Sequence, residues 1–166
     1  MRNYIIAVLT LIALAATWAA AKNWAEELDS KDAEKRGRAA QELLAKAAVE
    51  GLSEDEIEAL ATAIDDASDD VQEPAIEALA ANTKIALAQQ YAPYFTNRGD
   101  NFVAFLLWYS VYKTYSRIQT LYGGEGTGDM NEETAHAKNE AERAFANMLD
   151  PERKGWAQPY YEALTK

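Results

Sequence analysis

A chain of 166 residues, 49% of them hydrophobic and 26% charged, is long enough for one packed domain and too apolar to be disordered throughout. Its formal net charge of −11 excludes the phosphate backbone of nucleic acid as a partner, because affinity there comes from Lys and Arg displacing counterions. The absence of cysteine excludes disulfides, thiolate metal ligands, thiolate catalysis and lipid attachment through a cysteine.

Met1-Arg2-Asn3 is followed by a run from Tyr4 to Ala21 without a charge. Such a segment is directed to a membrane. Ala19 and Ala21 stand at the −3 and −1 positions of a signal-peptidase site before Lys22. Residues 4–21 as a helix would also reach roughly 27 Å, close to the hydrocarbon thickness of a bilayer. Cleaved signal and retained anchor both stay open. Either way Arg2 remains on the cytoplasmic side, and the chain beyond Ala21 is on the periplasmic or extracytoplasmic side.

From Glu26 to Glu73 there are 16 acidic and 5 basic residues. Ala, Glu, Leu and Lys dominate, β-branched residues are sparse, and the apolar spacing is helical. Asp29 or Ser30 is expected to cap a first helix that buries Ala39, Ala40, Leu43, Leu44 and Ala47 and ends near Gly51. Ser53-Glu54-Asp55-Glu56 is a capping box opening a second helix, with Ile57, Leu60, Ala61 and Ile64 on one face. Ser68 or Asp69 opens a third, with Pro74 expected in its first turn and Ile76, Leu79, Ala80, Ile85 and Leu87 on its buried side.

Residues 30–43 align with 66–79 at an offset of 36. The second stretch, Asp70-Val71-Gln72-Glu73-Pro74-Ala75-Ile76-Glu77-Ala78-Leu79, follows a helix ending at Asp65 and resembles a HEAT-type repeat. It keeps the Val, Ala and Leu of that pattern and has Gln72 where the family has Arg. The resemblance covers about residues 30–90 and implies a short stack of helical repeats, which would be completed by the rest of the chain. An antiparallel helical bundle of similar composition is the alternative architecture.

The stretch from Pro74 to Tyr122 has 2 acidic and 4 basic residues, and 10 of the 17 aromatics fall within residues 91–122. Tyr91 to Asp100, which contains Pro93 and Gly99, is expected to be a connector. Phe102 to Tyr112 then runs without a charge, too short to span a bilayer and apolar all round, as a central core helix would be. The polar tips of Trp108, Tyr109, Tyr112 and Tyr115 make these residues the candidate packing or partner surface. A ligand pocket formed by Phe105, Trp108, Tyr109 and Tyr112 is the competing expectation.

Gly123-Gly124-Glu125-Gly126-Thr127-Gly128 has no preceding strand and no following Gly-Lys-Ser/Thr, so it reads as a linker and not as a phosphate loop. Asp129 with Glu132 opens a tail helix carrying Ala135, Ala141, Ala144, Phe145 and Met148. Asp150-Pro151 starts another turn, Gly155 is expected to interrupt it, and Pro159 to open a last short helix with Tyr160, Tyr161 and Leu164. The single histidine, His136, has the Glu-x-x-His spacing to Glu133, but a di-iron bundle needs that motif on two helices. The acid pairs Asp65-Asp66 and Asp69-Asp70 and the run Glu54-Asp55-Glu56 match helix starts better than acid/base or calcium sites.

The expectation is thus an all-α protein: an N-terminal apolar transmembrane or signal helix, followed by an antiparallel helical bundle or short HEAT-like stack. Its parts are residues 1–21 as signal or anchor, 22–90 as the acidic helical region, 91–122 as the aromatic core region and 123–166 as the tail. No catalytic, metal or cofactor motif stands out, and neither an enzyme nor a cofactor is expected. The functional expectation is an accessory or adaptor subunit whose partners are other proteins of a membrane-associated complex. It would be held in the cytoplasmic membrane by residues 4–21, or released to the periplasm after Ala21. The alternative is a periplasmic binding module for a small apolar or aromatic ligand.

Overall fold

The computed structural model describes residues 23–122 and 128–166. The expected signal or anchor and the glycine linker up to Thr127 lie outside the described residues. All described elements are α-helices: α1 Trp24–Leu28, α2 Ala33–Val49, α3 Glu54–Ala63, α4 Asp69–Ala81, α5 Ile85–Asn97, α6 Asn101–Tyr122, α7 Gly128–Ala146 and α8 Pro151–Thr165. Among the described residues no helix is long and apolar enough to cross a membrane.

Helix starts follow local chemistry. Asn23, Asp32 and Asp150 each accept a hydrogen bond from a backbone amide in the first turn of the helix they precede, and Asp150 is succeeded by Pro151 at N1, where its missing N–H is no loss. At α3 the capping box is closed, with the Ser53 amide donating to Glu56 Oε2 at 2.8 Å. Gly51 takes φ +74° just beyond α2, a left-handed conformation that glycine adopts without strain.

Several boundaries differ from expectation. The cap of α2 is Asp32, with Ser30 two residues back accepting from the Asp32 amide, and the short α1 before it, with only Trp24 and Leu28 at helical spacing, was not expected. Pro74 is the sixth residue of α4, beyond the first turn. The expected third helix ends at Ala81, so Ile85 and Leu87 belong to α5 and are only half-buried. Residues 91–97 are helical, because Tyr91, Ala92 and Phe95 are buried on one side of α5 and their packing outweighs the amide hydrogen bond lost at Pro93. The connector is therefore only Arg98 to Asp100. Asp129 is the second residue of α7, and Ala137 takes the buried place expected of Ala135. Neither Gly155 nor Pro159 interrupts α8, whose buried residues Ala157 and Leu164 lie on either side of Pro159.

Two packed halves result. In the N-terminal half, Gly37 of α2 meets Asp70 of α4, and Thr83, just past α4, donates to the Ala47 carbonyl of α2 through both its amide and its hydroxyl. Helices α2 and α4 therefore run parallel, while α3 connects them. A Cβ on Gly37 would sit 3.1 Å from the Asp70 carbonyl oxygen, the acceptor that Pro74 leaves without its helical amide. Missing side chain and missing N–H meet at this close approach.

The C-terminal half is centred on α6. Every residue from Phe102 to Val111 is buried, because α5, α7, α8 and α4 all pack against α6. Helix α7 runs antiparallel to α6. Phe105 meets Phe145, Trp108 meets His136, and the Gln119 amide nitrogen donates to Asn131 Oδ1 at 2.8 Å.

Candidate functional site

The four residues singled out as a packing or partner surface lie in sequence on α6, but their surroundings divide them. Trp108 and Tyr109 are buried, while Tyr112 and Tyr115 are half-buried. The Trp108 ring meets the exposed His136 edge-on at 5.4 Å, and Tyr109 meets Tyr160 of α8 edge-on at 5.3 Å. Phe105, wholly buried, lies 5.6 Å from Phe145 and 6.3 Å from Tyr109. Phe145 in turn stacks on Tyr161 at 4.0 Å, and Trp156 tilts against Phe102 at 5.9 Å. Rings of α7 and α8 thus lie against Phe105, Trp108 and Tyr109, three of the four residues that were expected to line a ligand pocket. The spacing Trp156, Tyr160, Tyr161 on α8 was the available sign of a second aromatic face complementary to α6.

The two tyrosines carry the electrostatic mark of this packing. Burial pushes Tyr160 up to about 12, with help from the charges of Glu77 and Tyr109. Burial likewise raises Tyr109, with a smaller contribution from Tyr112. Both are neutral phenols throughout the physiological range.

Beyond Val111 the cover on α6 thins. Helix α5 is 13 residues long against the 22 of α6, so the last turns of α6 extend beyond it. Large apolar side chains are left at the end: Leu121 is 64% exposed and Tyr122 75%. Isolated exposed apolar residues are ordinary, but two in succession at the tip of a helix whose other end is fully buried form a local patch. Lys113 and Arg117, also exposed, lie on the same stretch.

Three of the acidic residues weighed as acid/base groups, Asp65, Asp66 and Glu56, are engaged structurally. Arg36 grips Asp66 through two hydrogen bonds of 2.6 and 3.0 Å and donates a third to the Ser30 carbonyl. The hydrogen bond from Arg36 holds the Asp66 carboxyl below the usual carboxylate range, with burial opposing and the Ser68 amide assisting. Arg153 donates to both oxygens of Asp65 at 2.6 and 2.7 Å and to Asp100 at 3.2 Å, tying the start of α8 to the loop after α3 and to the turn before α6. Glu56 is buried against Lys46 at 2.5 Å. Burial works to raise its pKa, yet the hydrogen bonds from Lys46 and Ser53 more than offset this and hold it low. A carboxylate stabilised in its charged form is a poor proton donor at neutral pH.

Sequence reasoning missed these ion pairs and also a buried amide. Asn82, 1% exposed, accepts hydrogen bonds at Oδ1 from the Leu52 amide at 3.0 Å and the Lys84 amide at 3.1 Å, closing the C-terminal ends of α2 and α4 on one another. Among the described residues no group of three His, Asp or Glu side chains is placed to hold a metal ion, and His136 has Trp108 as its ring neighbour. A groove of about 900 Å³ lies between α1 and the end of α3, with Leu28, Ala59 and Ala63 among the residues that line it. No protein-family model, curated protein or solved structure matches the chain.

Proposed function

We propose that this chain is a non-enzymatic adaptor subunit of a membrane-associated protein complex, and that the C-terminal end of α6, with Leu121 and Tyr122, is its contact face. In this reading residues 4–21 act as an anchor or a cleaved signal and the helical domain stands on the extracytoplasmic side. The N-terminal half is a short HEAT-like stack, with α2 and α4 as equivalent helices of successive repeats. Their parallel packing and the offset of 36 between their sequences support it.

The observation that carries the proposal is the change in environment along α6. One helix is completely enclosed from Phe102 to Val111 and then presents Leu121 and Tyr122 to solvent. A side-chain set that is apolar at both ends but covered at only one is what a subunit missing its neighbour displays. The engagement of Asp65, Asp66 and Glu56 in ion pairs supports a scaffold more than a proton-transfer centre.

The test is purification from native membranes of the full chain and of a Leu121→Asp, Tyr122→Ser variant. Both should melt at the same temperature, since these side chains pack on little, and only the unaltered chain should bring partner subunits with it. A chain that is processed after Ala21, soluble and monomeric, with no partner lost on substitution, overturns the proposal.

A further inference from the structure

A second surface lies between α4 and α8. Its first wall is the solvent side of α4, where Asp69, Glu73 and Glu77 recur every fourth residue and so stand in one row. Its second wall is aromatic, formed by Trp156 and Tyr160 with Pro159 between them. The groove between the walls holds about 480 Å³. This is room for one or two side chains and too little for a folded element.

The chemistry of the two walls is complementary to one kind of group. Among the described residues none of the three carboxylates has an ion-pair partner, and Arg153, the arginine of α8, is already engaged by Asp65 and Asp100. Trp156 is held in place by Phe102 and Tyr160 by Tyr109, so the aromatic wall is braced from behind by the core. A row of carboxylates alone would attract any cation. Carboxylates facing a rigid indole and phenol select a flat, weakly hydrated cation that can stack on one wall while donating hydrogen bonds to the other. The guanidinium group has that form, and an ammonium group satisfies only the charge.

We infer that the groove between α4 and α8 is a docking site for arginine side chains presented by a partner protein, two of them at helical spacing along the row of Asp69, Glu73 and Glu77. The inference rests on the adaptor reading and names the chemistry of one partner. The end of α6 supplies an apolar contact through Leu121 and Tyr122, and this groove supplies a charged one that fixes orientation.

The test uses the full chain and a fluorescein-labelled, alanine-based peptide carrying two arginines four residues apart, followed by fluorescence anisotropy. Glu73→Gln combined with Glu77→Gln should weaken the peptide by about tenfold or more, the loss expected when charge-assisted hydrogen bonds are removed. Glu54→Gln with Glu58→Gln, the same change in net charge on α3, should leave affinity within about twofold. The indole N–H resonance of Trp156, assigned by its loss in Trp156→Phe, should shift on adding peptide to the unaltered chain. Replacing both arginines of the peptide by lysine should weaken it. Equal losses in the two double variants, an unmoved Trp156 resonance or no peptide binding would each overturn the inference. A chain that fails these tests yet still recovers its partners through Leu121 and Tyr122 loses the groove and keeps the adaptor role.

Discussion

The two halves of the molecule reach the same end by different physics. From α1 to α4 the core is made of small and aliphatic side chains such as Ala39, Ala40, Leu43, Leu60, Ala75 and Leu79, and helices approach closely enough that their ends meet. Polar groups brought that near must be met one by one, by the Ser53–Glu56 box, by Lys46 on Glu56, by Arg36 on Asp66 and by Asn82 Oδ1 between two loops, and only the Asn82 Nδ2 is buried there without a partner among the described residues. From α5 to α8 the core is built of rings, Phe102, Phe105, Trp108, Tyr109 and Phe145, whose large areas hold the helices together with few polar contacts. Sensitivity to substitution should therefore follow volume in one half and backbone geometry in the other.

The largest effect is expected at the centre of the aromatic half. Phe105→Ala should lower stability by about 3–5 kcal/mol, because the ring is wholly enclosed and Tyr109 and Phe145 cannot both move into the space it leaves. Urea denaturation measures it as a fall in midpoint. Phe105→Leu, which keeps most of the volume, should recover more than half of the loss. A loss below about 1 kcal/mol for the alanine variant would mean that the rings repack freely, and that volume is not what holds this half.

The next effect belongs to the other half and turns on glycine. Gly51→Ala should cost at least about 2 kcal/mol, since a side chain at φ +74° is disfavoured and its Cβ would lie 2.6 Å from Lys84 Cβ and 2.9 Å from the Lys84 amide nitrogen. The same substitution in the aromatic half should do the reverse. Gly155 lies inside α8 with nothing within 4 Å of an added methyl, so Gly155→Ala should stabilise by roughly 0.5–1 kcal/mol. Thermal melts of the two variants sharpen the contrast, and a change of the same sign in both would break it.

That pair of glycines also shows what could be read in advance. Start signals were legible because they are local: Ser53 with Glu56, and Asp150 with Pro151, satisfy backbone donors within one turn. Gly155, Pro93 and Pro159 misled because their helix-breaking tendency is also local, worth about 1 to 3 kcal/mol per residue. Helices α5 and α8 continue through them since Tyr91, Phe95, Ala157 and Leu164 are buried by elements far away in the chain. The aromatic centre was legible as a packed region from composition alone. Its division was not, because whether Trp108 or Tyr122 is covered depends on the length of α5 and the arrival of α8. The ion pairs were hidden for the same reason. Arg36 and Asp66 are 30 residues apart and Arg153 and Asp65 are 88, with no periodicity linking them.

Arg153 joins the halves, and removing it tests how far they depend on each other. Arg153→Met keeps the aliphatic stem and should cost about 1 kcal/mol, since Asp65 is more than half exposed and the pairs are partly screened. The loss should shrink as salt is added, measured by urea midpoints across ionic strengths. A salt-independent loss of several kcal/mol would make Arg153 part of the core and the two halves one cooperative unit with a shared interior.

The smallest effect at neutral pH separates the halves by the direction in which each weakens. Asp66 and Glu56 have pKa values held low in the folded chain, so the unfolded chain binds more protons in acid and stability rises with pH there. Their contribution is complete above the unfolded carboxylate values near about 4 and is lost as pH falls through the lower folded ones. Tyr109 and Tyr160 are raised instead, Tyr160 to about 12, so their contribution is complete below the unfolded tyrosine value near about 10 and is lost as pH rises toward 12. Acid therefore acts on the polar half and alkali on the aromatic half. Arg36→Met should flatten the acid limb of the stability profile and leave the alkaline limb alone, while Tyr160→Phe should do the opposite. Equilibrium unfolding across pH, read alongside tyrosinate absorbance, measures both limbs. If either variant altered both limbs equally, the two halves would share one electrostatic response, and the division drawn from their cores would not extend to their charges.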